Sequence, residues 1–81
     1  MPKLKVLSGE EVINIFKSLG FSFSVQKGSH IKLTRNIENS IKQSLTIPNH
    51  KEIDRGTLKA IIRQASKYVP EEELKAHFYN D

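Results

Sequence analysis

The sequence contains no cysteine, and its apolar runs are short. Without thiols the chain can form neither a disulfide framework nor a thiolate zinc site, so its stability must come from ordinary packing. No run approaches the ~18 apolar residues of a membrane-spanning helix, and the N-terminus has no apolar core of the kind that a signal peptide needs. We therefore expect a soluble protein of the cytoplasm.

The chain is also short. Its 81 residues make one domain and leave no room for a separate cofactor-binding unit, so we expect no cofactor. We predict a folded domain over residues 1–69, followed over residues 70–81 by an acidic C-terminal extension that forms a short helix.

Charge is unevenly distributed along the sequence. Residues 1–69 carry twelve Lys and Arg against five Asp and Glu, whereas residues 70–81 carry four Asp and Glu against one Lys. A basic body attracts polyanions, phosphate backbones above all. Ordinary surface charge explains the excess equally well, so charge alone leaves the partner open.

The first helix is marked by its capping residues. Ser8 and Glu11 have capping-box spacing, which predicts a helix that begins near Gly9 and ends at Gly20. Apolar residues repeat at helical spacing between these limits, so the helix is amphipathic.

Three strands follow. They are indicated by the alternation of Phe21, Phe23 and Val25, then of Ile31 and Leu33, then of Leu45 and Ile47. Lys27 and Gly28 can form the first turn, the polar stretch 35–40 is expected to break the second strand, and Pro48 ends the third.

Two helices complete the pattern. Asp54 is a good N-cap for the second, in which Leu58, Ile61, Ile62 and Ala65 share a face. Pro70 and the glutamates after it open a third, carrying Leu74 and Phe78.

The fold class is therefore α+β, with the order α-β-β-β-α. It implies a three-stranded antiparallel sheet with two helices on one face, plus the short C-terminal helix. By parity the other face is polar and carries Ser22, Ser24, Gln26, His30, Lys32, Thr34, Ser44 and Thr46.

Histidines are the main candidates for chemistry, because imidazole exchanges a proton near neutral pH. His30 follows a glycine, lies near Lys27 and Lys32, and is predicted on the polar face. A solvated surface residue is the ordinary alternative for His30, and a polar loop residue is the ordinary alternative for His50. We expect His77 to face water. No histidine pair has metal-binding spacing, so we expect no metal.

The start of the second helix is a second candidate. Its free N–H groups favour an anion, and Lys51 and Arg55 add positive charge there. Gly56 has no glycine neighbour, so it does not belong to a phosphate-binding loop. Ordinary helix capping with solvated cations explains the pattern about as well.

These motifs together resemble the HicA toxins, the YcfA-like family of small mRNA interferases. The resemblance runs from about Ser8 to Ala65 and rests on Leu19-Gly20-Phe21, Lys27-Gly28-Ser29-His30, Leu45-Thr46-Ile47-Pro48 with His50, and Asp54-Arg55-Gly56-Thr57-Leu58 with Ile61 to Ala65. No one of these motifs is specific alone. In this order and at these distances in so short a chain, they strongly indicate the family.

The resemblance implies a fold similar to the double-stranded RNA-binding domain. It also implies a ribonuclease that cuts mRNA and is neutralised by a HicB-type antitoxin masking the active site. Our hypothesis is that this endoribonuclease is metal-independent. His30 corresponds to the family's catalytic histidine. Many members have a second histidine next, where this chain has Ile31, a position that parity places towards the core.

Our leading hypothesis gives each candidate a role. His30 is the general base, and the RNA-binding residues are Lys27, Gly28, Ser29, Lys32, His50, Lys51 and Arg55. A non-catalytic module that binds double-stranded RNA by shape is the alternative. A basic face that docks an acidic partner is compatible with the first hypothesis.

Overall fold

The computed structural model describes residues 2–38 and 41–80. In chain order the elements are β1 (Lys3–Leu4), α1 (Gly9–Ser18), β2 (Ser22–Lys27), β3 (His30–Ile37), β4 (Ile41–Pro48), α2 (Arg55–Ala65), α3 (Glu71–Phe78) and β5 (Tyr79–Asn80). The α+β class, the α-β-β-β-α order and the short C-terminal helix are confirmed.

Helix α1 begins where the capping box predicted. The Ser8 hydroxyl accepts a hydrogen bond from the Glu11 N–H at 3.1 Å, and the Glu11 carboxylate accepts one from the Ser8 N–H at 2.9 Å. Both bonds use N–H groups that the first helical turn leaves without a partner. Gly20, at φ +99°, ends the turn that follows the helix, in the left-handed region that suits glycine.

Strands β2, β3 and β4 form one antiparallel sheet in that order. Helices α1 and α2 contact β4, and the apolar residues of the sheet's centre are buried beneath them. The core consists of Leu4, Leu7, Val12, Ile13, Phe16, Phe21, Ile31, Leu33, Leu45, Ile47, Ile53, Leu58, Ile61, Ala65, Val69, Leu74 and Phe78. Within residues 2–38 and 41–80, no helix covers the second face of the sheet, as the sequence predicted.

Strand β3 is longer than the sequence indicated. It continues through Arg35 to Ile37, where a polar stretch was expected to end it, and Ile37 pairs with Ile41 of β4. Arg35 keeps its place in the strand because its long side chain reaches polar partners on the helix-covered side. Asn39 and Ser40, which belonged to the predicted polar stretch, lie outside the described residues.

Strand β2 departs from its predicted alternation. Phe23 pairs with Leu33, but Val25 pairs with Lys32, so Ser24 is an extra residue in β2 and forms a bulge. All six residues of β2 are exposed, including Phe23 and Val25, which the sequence placed on a half-buried strand. A bulge of one residue moves every later side chain to the opposite face, which is why the prediction was wrong for Val25. Phe23 precedes the bulge and pairs with Leu33, but β2 is an edge strand and Phe23 remains exposed there.

The C-terminal residues return to the N-terminus. Strand β5 pairs with β1 in a separate two-stranded sheet, and the Lys5 N–H donates to the Phe78 carbonyl at 2.8 Å. Leu74 and Phe78 of α3 are buried in the main core. Pro70 is the N-cap of α3 and makes no side-chain capping bond. The division of the chain at residue 69 stays a prediction.

No helix within residues 2–38 and 41–80 is long and apolar enough to cross a membrane.

Candidate functional site

The helix-free side of the sheet is the first candidate surface, and the pairing register fixes its members. We call it the open face and define it by Ser22, Val25, Lys27, His30, Lys32, Thr34, Asn36, Lys42, Ser44 and Thr46. Residues directly opposite each other in antiparallel strands share a face, so each pair places both its members.

The open face differs from its predicted composition because of the bulge in β2. Gln26 pairs with Ile31 and therefore lies on the helix-covered side, whereas Val25 and Lys27 take their places on the open face. The placement of Gln26 on this face was wrong, and Ser24, the extra residue of the bulge, has no pairing partner that assigns it to a face. Lys42 was missed because the third strand was not extended back to it, although Lys42, Ser44 and Thr46 continue one alternation.

His30 is the first residue of β3 and is exposed. It lies directly opposite Lys27 across the β2–β3 hairpin, and Lys32 is the next residue of β3 on the same face. The cross-strand spacing of an antiparallel sheet places such neighbours roughly 5–8 Å apart at their Cβ atoms. The structure thus places His30, Lys27 and Lys32 as neighbours on one solvent-exposed patch of the sheet.

The hairpin turn holds His30 in place through its backbone. Gly28 adopts φ +58°, which glycine permits, and the Gln26 side-chain amide donates to the Gly28 carbonyl at 2.9 Å. The Ser29 carbonyl accepts a hydrogen bond from the Asn49 N–H at 2.6 Å. Ser29 therefore links the histidine hairpin to the loop that follows β4, while Gly28 makes its bond within the hairpin.

This loop, residues 48–50, lies against the start of α1. The Gly9 N–H donates to the His50 carbonyl at 2.8 Å. A Cβ atom on Gly9 would collide with the Pro48 carbonyl and would come within 2.7 Å of the Asn49 Cα. Only glycine fits at this close approach, a requirement that the sequence did not reveal beyond marking Gly9 as a helix start.

Two further hydrogen bonds define the start of α2. The Asp54 carboxylate accepts one from the Thr57 hydroxyl at 2.7 Å and one from the Thr57 N–H at 3.0 Å. These bonds, the hydroxyl first, hold the pKa of Asp54 below its usual value of 3.8, and the nearby His50 contributes a smaller attraction. The predicted N-cap is confirmed, and Asp54 itself supplies an anion at this helix start.

The remaining predicted residues lie beyond the histidine hairpin. His50 is exposed in the loop between β4 and α2, and Lys51 and Arg55 are exposed at the approach to α2. Backbone hydrogen bonds connect this loop to Ser29 and to α1, so the loop lies at the same end of the sheet as His30. The roles given to these residues stay predictions.

His77 faces water only in part, where we expected it to be fully exposed. It is half-buried on α3 and borders a shallow hollow that also includes Lys5, Leu7 and Glu11. Within the part of the chain that the structure describes, no three His, Asp or Glu side chains are grouped closely enough to hold a metal ion.

A three-stranded antiparallel sheet with two helices on one face and a basic, histidine-bearing surface on the other defines a small α+β protein. Its element order is that of the double-stranded RNA-binding domain. The model of the family described as "HicA toxin of bacterial toxin-antitoxin" matches residues 9–66, from the start of α1 to the end of α2. The chain therefore belongs to the HicA toxin family. No curated protein matches it.

Membership makes the chain a toxin of a bacterial toxin-antitoxin pair, for which an antitoxin is the partner. The match includes His30 and the whole three-stranded sheet. It ends before α3 and β5, so the segment that pairs with β1 lies outside the matched residues.

Proposed function

We propose that the protein is the toxin of a type II toxin-antitoxin system and acts as an endoribonuclease that cuts mRNA. The observation that carries the proposal is the exposed imidazole of His30 on the open face, directly opposite Lys27 and beside Lys32. Such a surface admits a polyanion and presents a group that exchanges protons near neutral pH.

In this mechanism His30 accepts the proton of a ribose 2′-OH. The freed oxygen attacks the adjacent phosphorus, the bond from phosphorus to the 5′ oxygen breaks, and a proton is returned to the leaving oxygen. The products are a 2′,3′-cyclic phosphate and a 5′-hydroxyl end. Since the nucleophile comes from the RNA itself, the reaction proceeds without a metal, and DNA is spared because it lacks the 2′-OH.

Lys27 and Lys32 would stabilise the negative charge that develops at the phosphate during the reaction. A phosphorus with five oxygen neighbours carries more negative charge than the ground state, and ammonium groups already in place stabilise it without reorganising. Lys27 and Lys32 are the closest cations to His30 along the sheet. Gly28 and Ser29 supply the turn that sets the imidazole's position, while His50, Lys51 and Arg55 would bind neighbouring phosphates.

The antitoxin would be of the HicB type and would cover the open face, where substrate and inhibitor compete for the same cations. The site of action is then the cytoplasm, where mRNA is translated.

Replacement of His30 tests the mechanism directly. The His30→Ala variant should cut a labelled mRNA fragment about 10²–10⁴ times more slowly, because general base catalysis contributes a factor of that size. His30 is exposed, so folding should be unchanged. The assay is run in excess EDTA, and His77→Gln, on α3, is the matched control that should retain activity.

If His30→Ala cuts RNA at the rate of the unaltered protein, His30 is not the general base. A substrate with a single 2′-deoxy nucleotide at the cleavage site should resist cutting. If that substrate is cut equally well, the ribose oxygen is not the nucleophile.

A non-catalytic double-stranded RNA-binding module remains the second candidate. It is favoured by the open face as defined above, which carries one imidazole and no carboxylate to pair with it. This reading predicts that double-stranded RNA is retained intact, with shifted mobility, under the conditions that should produce cleavage.

A further inference from the structure

A groove on the opposite side of the molecule from the open face is the second candidate surface. It lies between α2 and α3, in the helical layer. Its largest hollow has a volume of about 710 Å³ and is lined by Pro2, Lys59, Ile62, Arg63, Ser66, Glu71, Leu74, Lys75 and Tyr79. A second hollow shares Pro2, Lys59 and Tyr79 and adds Lys3, Leu4 and Arg55. We call the two together the α2–α3 groove.

The first wall of the groove is a basic stripe on α2. Arg55, Lys59 and Arg63 are spaced by four residues each, so they lie in one row along the helix and cover about 12 Å of its length. All three are exposed. A row of three cations along a helix favours an elongated anionic ligand over a compact one.

The second wall comes from the C-terminal residues. Leu74 and Lys75 of α3 and Tyr79 of β5 line it, and the pairing of β5 with β1 holds them there. Among the described residues that line the groove, Glu71 is the only carboxylate, and Lys75 engages it at 3.2 Å. The other charged side chains of this lining are all cations: Lys3, Arg55, Lys59 and Arg63.

The floor is apolar. Ile62 and Tyr79 are half-buried, and Leu74 closes the floor between them. Single-stranded nucleic acid binds through aromatic rings that stack on its bases, and Tyr79 is the only ring among the described residues that line the groove. A row of cations beside an aliphatic floor instead complements a helix with leucines on one side and glutamates along its flank, the arrangement by which amphipathic helices bind in grooves.

We propose that the α2–α3 groove is a docking site for an acidic amphipathic helix of a partner protein. The helix would place its apolar side on Ile62 and Tyr79 and its carboxylates against Lys59 and Arg63. The groove shares no residue with the open face, so a helix bound at Lys59 and Arg63 leaves His30 and its neighbours free. Arg55, at one end of the groove, is also among the residues proposed to bind RNA. The site gives α3 and β5 a function beyond the residues that the family model matches.

The test uses a defined probe, a fluorescein-labelled 15-residue peptide with leucines at helical spacing and glutamates on the flanking positions. A peptide of the same composition in scrambled order is the comparison, and a 12-nucleotide single-stranded RNA is the third probe. Fluorescence anisotropy gives each Kd at low salt. We expect the patterned peptide to bind at least about tenfold more tightly than the scrambled one, because only the patterned peptide can bury leucines while pairing its charges.

Two charge-reversal variants locate the binding. The double variant Lys59→Glu with Arg63→Glu should raise the Kd of the patterned peptide at least about tenfold, since like charges would then face each other. Lys17→Glu with Lys67→Glu makes the same change in net charge at exposed positions outside the groove and should leave the Kd within about twofold. Circular dichroism checks that both variants keep their helices.

Equal affinity for the patterned and scrambled peptides would overturn the proposal, because general charge attraction would then be the cause. An equal loss of affinity for the patterned peptide in the two charge-reversal variants would also overturn the proposal. If the groove variant loses affinity for RNA and not for the peptide, the groove is a nucleic-acid surface. A loss of RNA cleavage without any change in peptide binding would concern the ribonuclease proposal alone.

Discussion

Arg35 shows how one side chain can join three elements. Its Nε donates to Gln43 at 2.9 Å, one terminal nitrogen donates to the Leu19 carbonyl at 2.8 Å, and the other donates to the Tyr68 carbonyl at 3.0 Å. The guanidinium also lies 4.6 Å from the centre of the Phe21 ring. These contacts use the planar fork of donors that lysine does not have. Arg35 thus holds the chain segments just after α1 and α2 against β3. All these contacts lie on the helix-covered side of the sheet, so the open face stays free for the site.

Gly9 is the residue whose replacement should disturb the site's support most selectively. In Gly9→Ala the new methyl group would meet the Pro48 carbonyl and the Asn49 backbone, so the loop or the helix must move. We expect the free energy of unfolding to fall by about 1–3 kcal/mol, the usual cost of forcing extra atoms into a packed position. Urea denaturation measures the change.

The matched control for this prediction is Gly56→Ala in the first turn of α2. There the new methyl would lie 3.4 Å from the Asp54 carboxylate, an ordinary contact, and alanine favours the helix by roughly 0.5–1 kcal/mol. We therefore expect a small gain in stability. A similar loss in both variants would show that the close approach at Gly9 has no special cost.

At the scale of elements, the sequence predicted helices better than strand registers. Caps at Ser8 and Asp54 are local signals, and both helices begin as those caps indicate. The bulge at Ser24 leaves no local mark, because serine fits the alternation of β2 on either side of it. The β1–β5 pairing was also unpredicted, since two-residue strands are too short to show a period and join opposite ends of the chain.

The same distinction applies to the site. The glycine-flanked position of His30 was readable from the sequence, and the structure places it exposed on the open face. The sequence did not show that Val25 and Lys42 lie on that face, because their positions depend on how β2 and β4 pair with β3. Local chemistry was predictable here, whereas the neighbours that the sheet supplies were only partly so.

The bulge can be tested through Val25. Because Val25 lies on the open face, Val25→Thr should change the free energy of unfolding by no more than about 0.5 kcal/mol. Had the simple alternation held, Val25 would pair with the buried Ile31, and a loss of about 1 kcal/mol or more, the low end of the cost of burying a hydroxyl, would contradict the bulge. Leu33→Ala, at a fully buried position of β3, should cost about 2–5 kcal/mol and shows what a core site of this sheet contributes.

The start of α2 should carry an acid-dependent part of the stability. Since the folded pKa of Asp54 is lowered, the stabilisation is fully present above the unfolded value and is lost as pH falls through the folded pKa. Thr57→Val removes the hydroxyl that contributes most to this shift. We expect the melting temperature of the variant to lie below that of the unaltered protein near neutral pH and the difference to shrink below about pH 4.

Thermal melts between acidic and neutral pH measure this difference. Thr46→Val, on the exposed open face, is the control and should show no such convergence. A gap between Thr57→Val and the unaltered protein that stays constant at every pH would mean that Asp54 does not gain its stabilisation from the charged form.

At the scale of the whole molecule, the C-terminal segment belongs to the same core as the sheet. The Phe78 ring lies 5.6 Å from the Phe16 ring, which in turn meets Phe21 edge-on at 5.7 Å. Phe16 and Phe78 are completely buried. The three rings join α3, α1 and the start of the main sheet, so the residues beyond the family match take part in the packing beneath it.

Phe78→Ala should therefore destabilise the protein as a unit. We expect a loss of about 3–5 kcal/mol, the usual cost of removing a buried phenylalanine ring, and a single unfolding transition rather than separate melting of α3. Hydrogen exchange followed by NMR distinguishes the two outcomes, because amides of β3 and β4 should lose protection together with those of α3. If only α3 and β5 lose protection, the C-terminal segment is an independent attachment, as the sequence first suggested. The α2–α3 groove would then open without unfolding the sheet, since one of its walls could detach while His30 and its neighbours stay in place.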